Sequence, residues 1–104
     1  MTNNMQQLMA QAKKLQSKVE EAQKELGTKE VTGSAGSDSV TVLMTISGDV
    51  KSISVAEEVI DPKERDMLEA LIIAALHDAK QKANKMYEDR MREVTGGLGA
   101  PGLF

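Results

Sequence analysis

Apolar residues near the start of the chain recur at spacings of three and four: Met5, Leu8, Ala12, Leu15, Val19, Ala22 and Leu26. This is the period of one helix face, and it forms an unbroken heptad seam. The spacing predicts a helix over residues 4–26, capped by Asn3 or Asn4 with Gln6 or Gln7 at the third helical position, and stopped by Gly27. At 1.5 Å rise per residue it is roughly 33 Å long, so its N-terminal half is expected to project beyond so small a body. The seam either pairs with a second helix of the same chain, the preferred reading, or forms a coiled coil with another copy.

From residue 28 the period changes to two. A weak strand is predicted around Thr28–Gly33, followed by a Gly/Ser/Asp-rich loop over Ser34–Ser39, expected to be mobile. The clearest strand alternates Val40, Val42, Met44 and Ile46 with Thr41, Leu43, Thr45 and Ser47, giving one apolar and one largely hydroxylated face. Gly48-Asp49 reads as a two-residue hairpin turn. The third strand, Val50–Val55, is expected to turn Ile53 and Val55 inward, with Lys51 on the same side near the turn.

Residues 61–94 return to the helical period. Asp61 at the N-cap, Pro62 at the first helical position and Glu64 completing a capping box mark the start. The main stripe is Leu68, Leu71, Ile72, Ala75, Ala79, Ala83, Met86 and Tyr87. Over Leu71, Ile72, Ile73, Ala74, Ala75 and Leu76 the helix is apolar all round, so it must be buried on more than one side. One side can pack on the sheet. The other calls for a second subunit, which makes Leu71, Ile72, Ile73, Ala75 and Leu76 the candidate dimer interface. The helix ends at Thr95-Gly96-Gly97, and residues 96–104 form a Gly/Pro-rich tail, expected to be flexible or docked by Leu103 and Phe104 onto an apolar groove. The chain is therefore one domain over residues 1–95 plus that tail.

Composition supports the need for a partner. With one Phe, one Tyr and no Trp in 104 residues, the monomer lacks the side chains that bury most area. Cysteine is absent, which removes disulfides, thiolate metal sites and cysteine nucleophiles and fits the cytoplasm. No signal peptide is visible and the longest apolar block is too short to span a bilayer, so a soluble cytoplasmic protein is expected.

The formal net charge of −3 argues against a polyanionic partner, but its distribution argues the other way. Residues 1–19 carry Lys13, Lys14 and Lys18 and no acid, and residues 80–92 carry Lys80, Lys82, Lys85, Arg90 and Arg92 against Glu88 and Asp89. The acidic excess, including Glu57, Glu58, Asp61, Asp66 and Glu69, lies between them. The element order is helix, three strands, helix: an α+β fold in which a three-stranded antiparallel sheet packs on two long helices. If the helices lie antiparallel, the start of the first and the end of the second share one end, and about eight cations gather on one arm. A dimer joined through the second helix would carry two such arms with a positive gap between them.

The chain resembles the YbaB/EbfC family of bacterial nucleoid-associated proteins along nearly its whole length. The resemblance rests on Met5-Gln6-Gln7-Leu8-Met9, Ala12-Lys13-Lys14-Leu15-Gln16, Val31-Thr32-Gly33-Ser34-Ala35-Gly36, Gly48-Asp49-Val50-Lys51-Ser52-Ile53, Leu68-Glu69-Ala70-Leu71-Ile72-Ile73-Ala74-Ala75 and the ending Thr95-Gly96-Gly97-Leu98-Gly99-Ala100-Pro101-Gly102-Leu103-Phe104. No single piece is diagnostic; their order and spacing together are specific. The resemblance implies an α-β-β-β-α fold, a tweezer-shaped homodimer and DNA binding through the ends of the first and last helices. His77 departs from the small amide or polar residue usual there, with no consequence expected for DNA binding.

The candidate DNA-binding residues are Lys13, Lys14, Lys18, Lys82, Lys85, Arg90 and Arg92, because phosphate contacts need flexible cations and no fixed motif. Few side chains are placed for bidentate base reading, Gln6, Gln7 and Gln11 being the exceptions, so weak sequence selectivity is expected. No aromatic residue interleaves the cations, which argues against stacking on single strands. The partners expected are double-stranded DNA and a second copy, with no cofactor, metal, membrane or small-molecule substrate. Gly97-Leu98-Gly99-Ala100-Pro101-Gly102 matches GxGxxG in letters only, since it follows a helix and no helix follows it. His77 stands alone among the residue types of a triad or metal site, and Glu57-Glu58 reads as a solvated linker. An enzyme is not expected. The rival class is a protein-interaction adaptor of the replication or recombination machinery, docking through the Met-rich helices (Met5, Met9, Met67, Met86, Met91) or the tail.

Overall fold

The computed structural model describes residues 2–96, with side chains from residue 4; the expectation about the tail beyond Gly96 falls outside them. The chain runs α1 (Thr2–Gly27), β1 (Glu30–Ala35), β2 (Val40–Thr45), β3 (Val50–Val55), two short 3-10 turns (Glu57–Val59 and Pro62–Glu64) and α2 (Arg65–Thr95). The α-β-β-β-α order and the antiparallel sheet, β1-β2-β3, are those expected.

Pairing lines up the inner face of the sheet in rows: Val31, Met44 and Val50; Gly33, Val42 and Ile53; Ala35, Val40 and Val55. The helix α2 lies across β1 and β2. Val40, Val42 and Met44 are buried beneath it against Ala75, Ala79 and Ala83. These small residues let helix and sheet approach closely. The closest point is Gly33, where a Cβ would collide with backbone atoms of Ala75 and Ala79.

The turns differ from expectation in three places. β1 extends to Ala35, whose partner is Val40, so the loop is only Gly36–Ser39. It is tied by the Ser39 amide donating to the Gly36 carbonyl (3.1 Å), with left-handed backbone at Gly36, Ser37 and Asp38. The second hairpin is longer than a two-residue turn. Thr45 closes it, donating its amide to the Asp49 carbonyl (2.8 Å) while its Oγ1 accepts from the Asp49 amide (3.0 Å). A bulge follows, so that Val50 and not Lys51 takes the inner-face position opposite Met44. The capping residues Asp61 and Pro62 start a 3-10 turn, with Asp61 Oδ1 accepting from the Lys63 amide (2.9 Å), and α2 proper begins at Arg65.

The inward placement of Ile53 is right by register but not by burial. It lies in the row of Gly33 and Val42, yet it is 45 % exposed, and Val50 is 46 % exposed. The reason is the helix's path: α2 covers β1 and β2, and β3 lies outside its cover.

Candidate nucleic-acid interface

The helix α1 runs antiparallel to α2 and touches it with its C-terminal half only. Ala22 and Leu26 are buried, Leu15 and Val19 half-buried, and the contact is locked by Arg90, whose Nη2 and Nε reach Glu25 Oε2 at 2.9 and 3.1 Å. Gly96 ends α2 in left-handed conformation, its amide donating to the Arg92 and Glu93 carbonyls. Val94, Thr95 and Gly96 sit beside Gln11, Lys14, Leu15 and Lys18 of α1. The first ten residues therefore run on past the end of α2, and the molecule is 74 Å long but only 26 and 16 Å across. On this overhang the seam has no partner among the described residues: Met5, Leu8 and Met9 are 68 %, 65 % and 59 % exposed.

The overhang and the end of α2 thus share one end of the molecule, and Lys14 lies level with residues 94–96. Lys85 is on the same helix nine residues earlier, about 14 Å by helical rise.

The cations named from the sequence fall into two groups. Lys13, Lys14 and Lys18 are exposed, and none takes part in an ion pair among the described residues. Those of α2 are engaged. Lys82 Nζ contacts Asp78 Oδ2 (3.0 Å) and donates to the Thr32 carbonyl (3.1 Å), which fixes it to the sheet. Arg90 bridges Glu25 and Glu93, and its guanidinium is held above its usual pKa by hydrogen bonds to Glu93 and then Glu25. Lys85 and Arg92 share Asp89 at 3.6 and 3.5 Å, exposed contacts of the kind worth about 0–1 kcal/mol.

Two groups that sequence reasoning did not single out shape this end and the body behind it. Glu25 joins α1 to α2 from 65 residues away, a pairing without a local signal. Asp78 Oδ2 accepts from the Ser34 amide at 2.9 Å, and this bond, followed by the one to Lys82, holds its carboxyl below the usual range. The Asp78–Lys82 spacing of four was visible as a helix pair, but its tie to β1 was not.

Of the candidate dimer residues, Ala75 is wholly buried against its own sheet, and Leu71 packs beside Gly36 at the β1 side. At 100° per residue Ile72, Leu76 and Ile73 point progressively toward the opposite, β3 side. Ile73 is 55 % exposed. On β3, Val50 and Ile53 are likewise exposed and Val55 is half-buried.

No group of three or more His, Cys, Asp or Glu side chains able to hold a metal is present among the described residues. Nor is any described helix long and apolar enough to cross a membrane.

Comparison with known proteins gives a consistent result. The model of the YbaB/EbfC DNA-binding family matches residues 1–98. A nucleoid-associated protein of Afipia carboxidovorans is 46 % identical over 96 residues, covering 92 % of this chain and 91 % of the relative. Nucleoid-associated proteins of Acetivibrio thermocellus (44 % identity; 97 % and 90 % covered) and Saccharopolyspora erythraea (41 %; 96 % and 94 %) are similar over the same span. A crystal structure of an uncharacterized protein from Helicobacter pylori shares the fold with a TM-score of 0.68 at 12 % identity, over 81 % of this chain and 88 % of that one.

Proposed function

The chain belongs to the YbaB/EbfC DNA-binding family, and from that premise we propose that it is a nucleoid-associated protein that grips duplex DNA as a homodimer, with weak or no sequence specificity. The observation that carries this reading is the acid-free stretch of α1 up to residue 19, exposed at the end of the molecule where α2 stops. Lys13, Lys14 and Lys18 stand where α1 passes the C-terminal end of α2, while Glu57, Glu58, Asp61, Asp66 and Glu69 lie on the 3-10 turns and the first turns of α2, at that helix's other end. A net charge of −3 is therefore no obstacle, since residues 1–19 carry no acid and, at that end of α2, Asp89 and Glu93 are engaged by Lys85, Arg92 and Arg90.

Within the candidate set the roles divide. Lys13, Lys14 and Lys18 make the primary phosphate contacts. Lys85 and Arg92 exchange their shared Asp89 for phosphate oxygens at small cost. Lys82 and Arg90 hold the arm and sheet in place and contribute to binding indirectly. The homodimer closes through the exposed apolar side chains of Ile73 on α2 and of Val50 and Ile53 on β3, with half-buried Ile72 and Leu76 beside Ile73, which leaves the N-terminal ends of α1 free to serve as two arms. The protein then acts in the cytoplasm, on the nucleoid, in organising DNA or in regulating expression or repair.

A salt titration of duplex binding tests the mechanism. Three lysines on each of two arms give a log–log slope of affinity against salt of about −5 if all engage phosphates. Replacing Lys13, Lys14 and Lys18 together by Ala is expected to flatten that slope and to reduce affinity at least tenfold, equally on unrelated duplexes. An unchanged slope in the triple variant would remove these lysines of α1 as the grip. Affinity insensitive to salt in the unaltered protein would instead favour an adaptor docking through apolar contacts.

A further inference from the structure

The covered and bare halves of the α1 seam differ in what borders them. In the half that α2 covers, Glu25 flanks the seam and answers Arg90 at 2.9 Å. In the bare half, Met5, Leu8 and Ala12 are exposed and are flanked by Asn4, Met9 and Gln11, all uncharged. Lys13 and Lys14 point about 130° away from the seam. We propose that the bare stretch pairs with the same stretch of a second copy, the two helices antiparallel and Met5 of each opposite Leu8 of the other.

Three observations favour this occupant. The first is continuity: the bare stripe is the same heptad seam that α2 covers from Leu15 to Leu26, so a helix is what fits it. The second is charge. A pair of identical helices sets every flanking charge against its like, and here the flanks carry none, whereas a charged partner helix would find no counter-charge beside the stripe. The third is position. With Met5 opposite Leu8, Thr2 of the second copy comes level with Gln11, beside which α2 ends at Gly96. The incoming helix thus begins where α2 stops and runs in the same direction, its N-terminal end toward the C-terminal carbonyls of α2, the favourable arrangement of the two helix dipoles. The contact involves far fewer side chains than the roughly 20–30 a side of a stable interface, so it is weak and is best detected by trapping. The inference rests neither on DNA binding nor on the dimer contact through β3.

The absence of native cysteine allows a direct test in the full-length chain. Met5→Cys protein mixed with Leu8→Cys protein is expected to oxidise to a covalent pair on a non-reducing gel, with the two cysteine peptides found linked by mass spectrometry. Each variant alone is expected to cross-link several-fold more slowly, because like positions are offset along an antiparallel pair. Gln7→Cys lies on the far side of α1 and is expected to stay reduced when mixed with Leu8→Cys. The same pattern is expected in chains that also carry Ile53→Asp. Positions 5 and 8 are largely exposed, so the substitutions leave the fold intact, which circular dichroism checks. No covalent pair from the Met5 and Leu8 variants, or equal cross-linking by Gln7→Cys, would overturn the proposal and leave the stripe to another occupant. Equally fast reaction of each variant alone would overturn the antiparallel register, and loss of the pair with Ile53→Asp would overturn its independence of β3.

Discussion

The two edges of the sheet are finished differently. Along β1 the protein closes its own edge: the Ser34 amide is taken by Asp78 and the Thr32 carbonyl by Lys82, both from α2, and Gly33 meets the helix backbone directly. Along β3 no such cover is present among the described residues, and Val50, Ile53 and the neighbouring Ile73 are about half exposed. An unpaired edge backed by apolar side chains is what proteins ordinarily avoid leaving to solvent. The difference teaches that one flank is completed within the chain, whereas the other is left open and is the one proposed above to receive a second copy.

The largest expected effect lies at the closed edge. Gly33→Val forces a branched side chain against the backbone of Ala75 and Ala79, and overpacking of this kind should cost at least about 2 kcal/mol. Chemical denaturation reads it. A variant as stable as the parent would show that β1 and α2 can part without penalty. Next, Ile53→Asp at the open edge should convert the proposed dimer to a monomer in sedimentation while the monomer's helical content is retained, because Ile53 is already 45 % exposed in the single chain. An unaltered dimer would move the interface elsewhere.

The smallest effect concerns Asp78. Its carboxyl titrates below the ordinary range in the folded protein, owing to the Ser34 amide and then Lys82. A depressed folded pKa contributes stability that is present above the ordinary carboxylate value and is lost as pH falls through the folded value. Asp78→Asn should therefore lower the melting temperature modestly at pH 7, and the gap to the parent should narrow by pH 3. A gap that is constant with pH would mean the charge is irrelevant to the link.

Much of the fold was legible. The α1 seam, the alternation of β2 and the Asp61-Pro62 start signal each have a local cause; the first two appear in place, and the third starts a 3-10 turn just ahead of α2. The hairpin was misjudged because Thr45 binds Asp49 through its hydroxyl and backbone together, which extends the turn, and the bulge then shifts Lys51 out of the inward row. The candidate cations could be named but not sorted. Lys18 and Lys82 look alike in a sequence; only the position of Thr32 and Asp78 shows that one is committed to the sheet.

Periodicity and the run of acid-free residues were thus settled by the chain alone, since each depends on neighbours within a helical turn or a strand pair. Which half of the α1 seam is covered, which sheet edge is tied off and which cations remain free were settled by packing. Those outcomes depend on where α2 crosses the sheet and where it stops, distances between groups as far as 65 residues apart that no local spacing encodes.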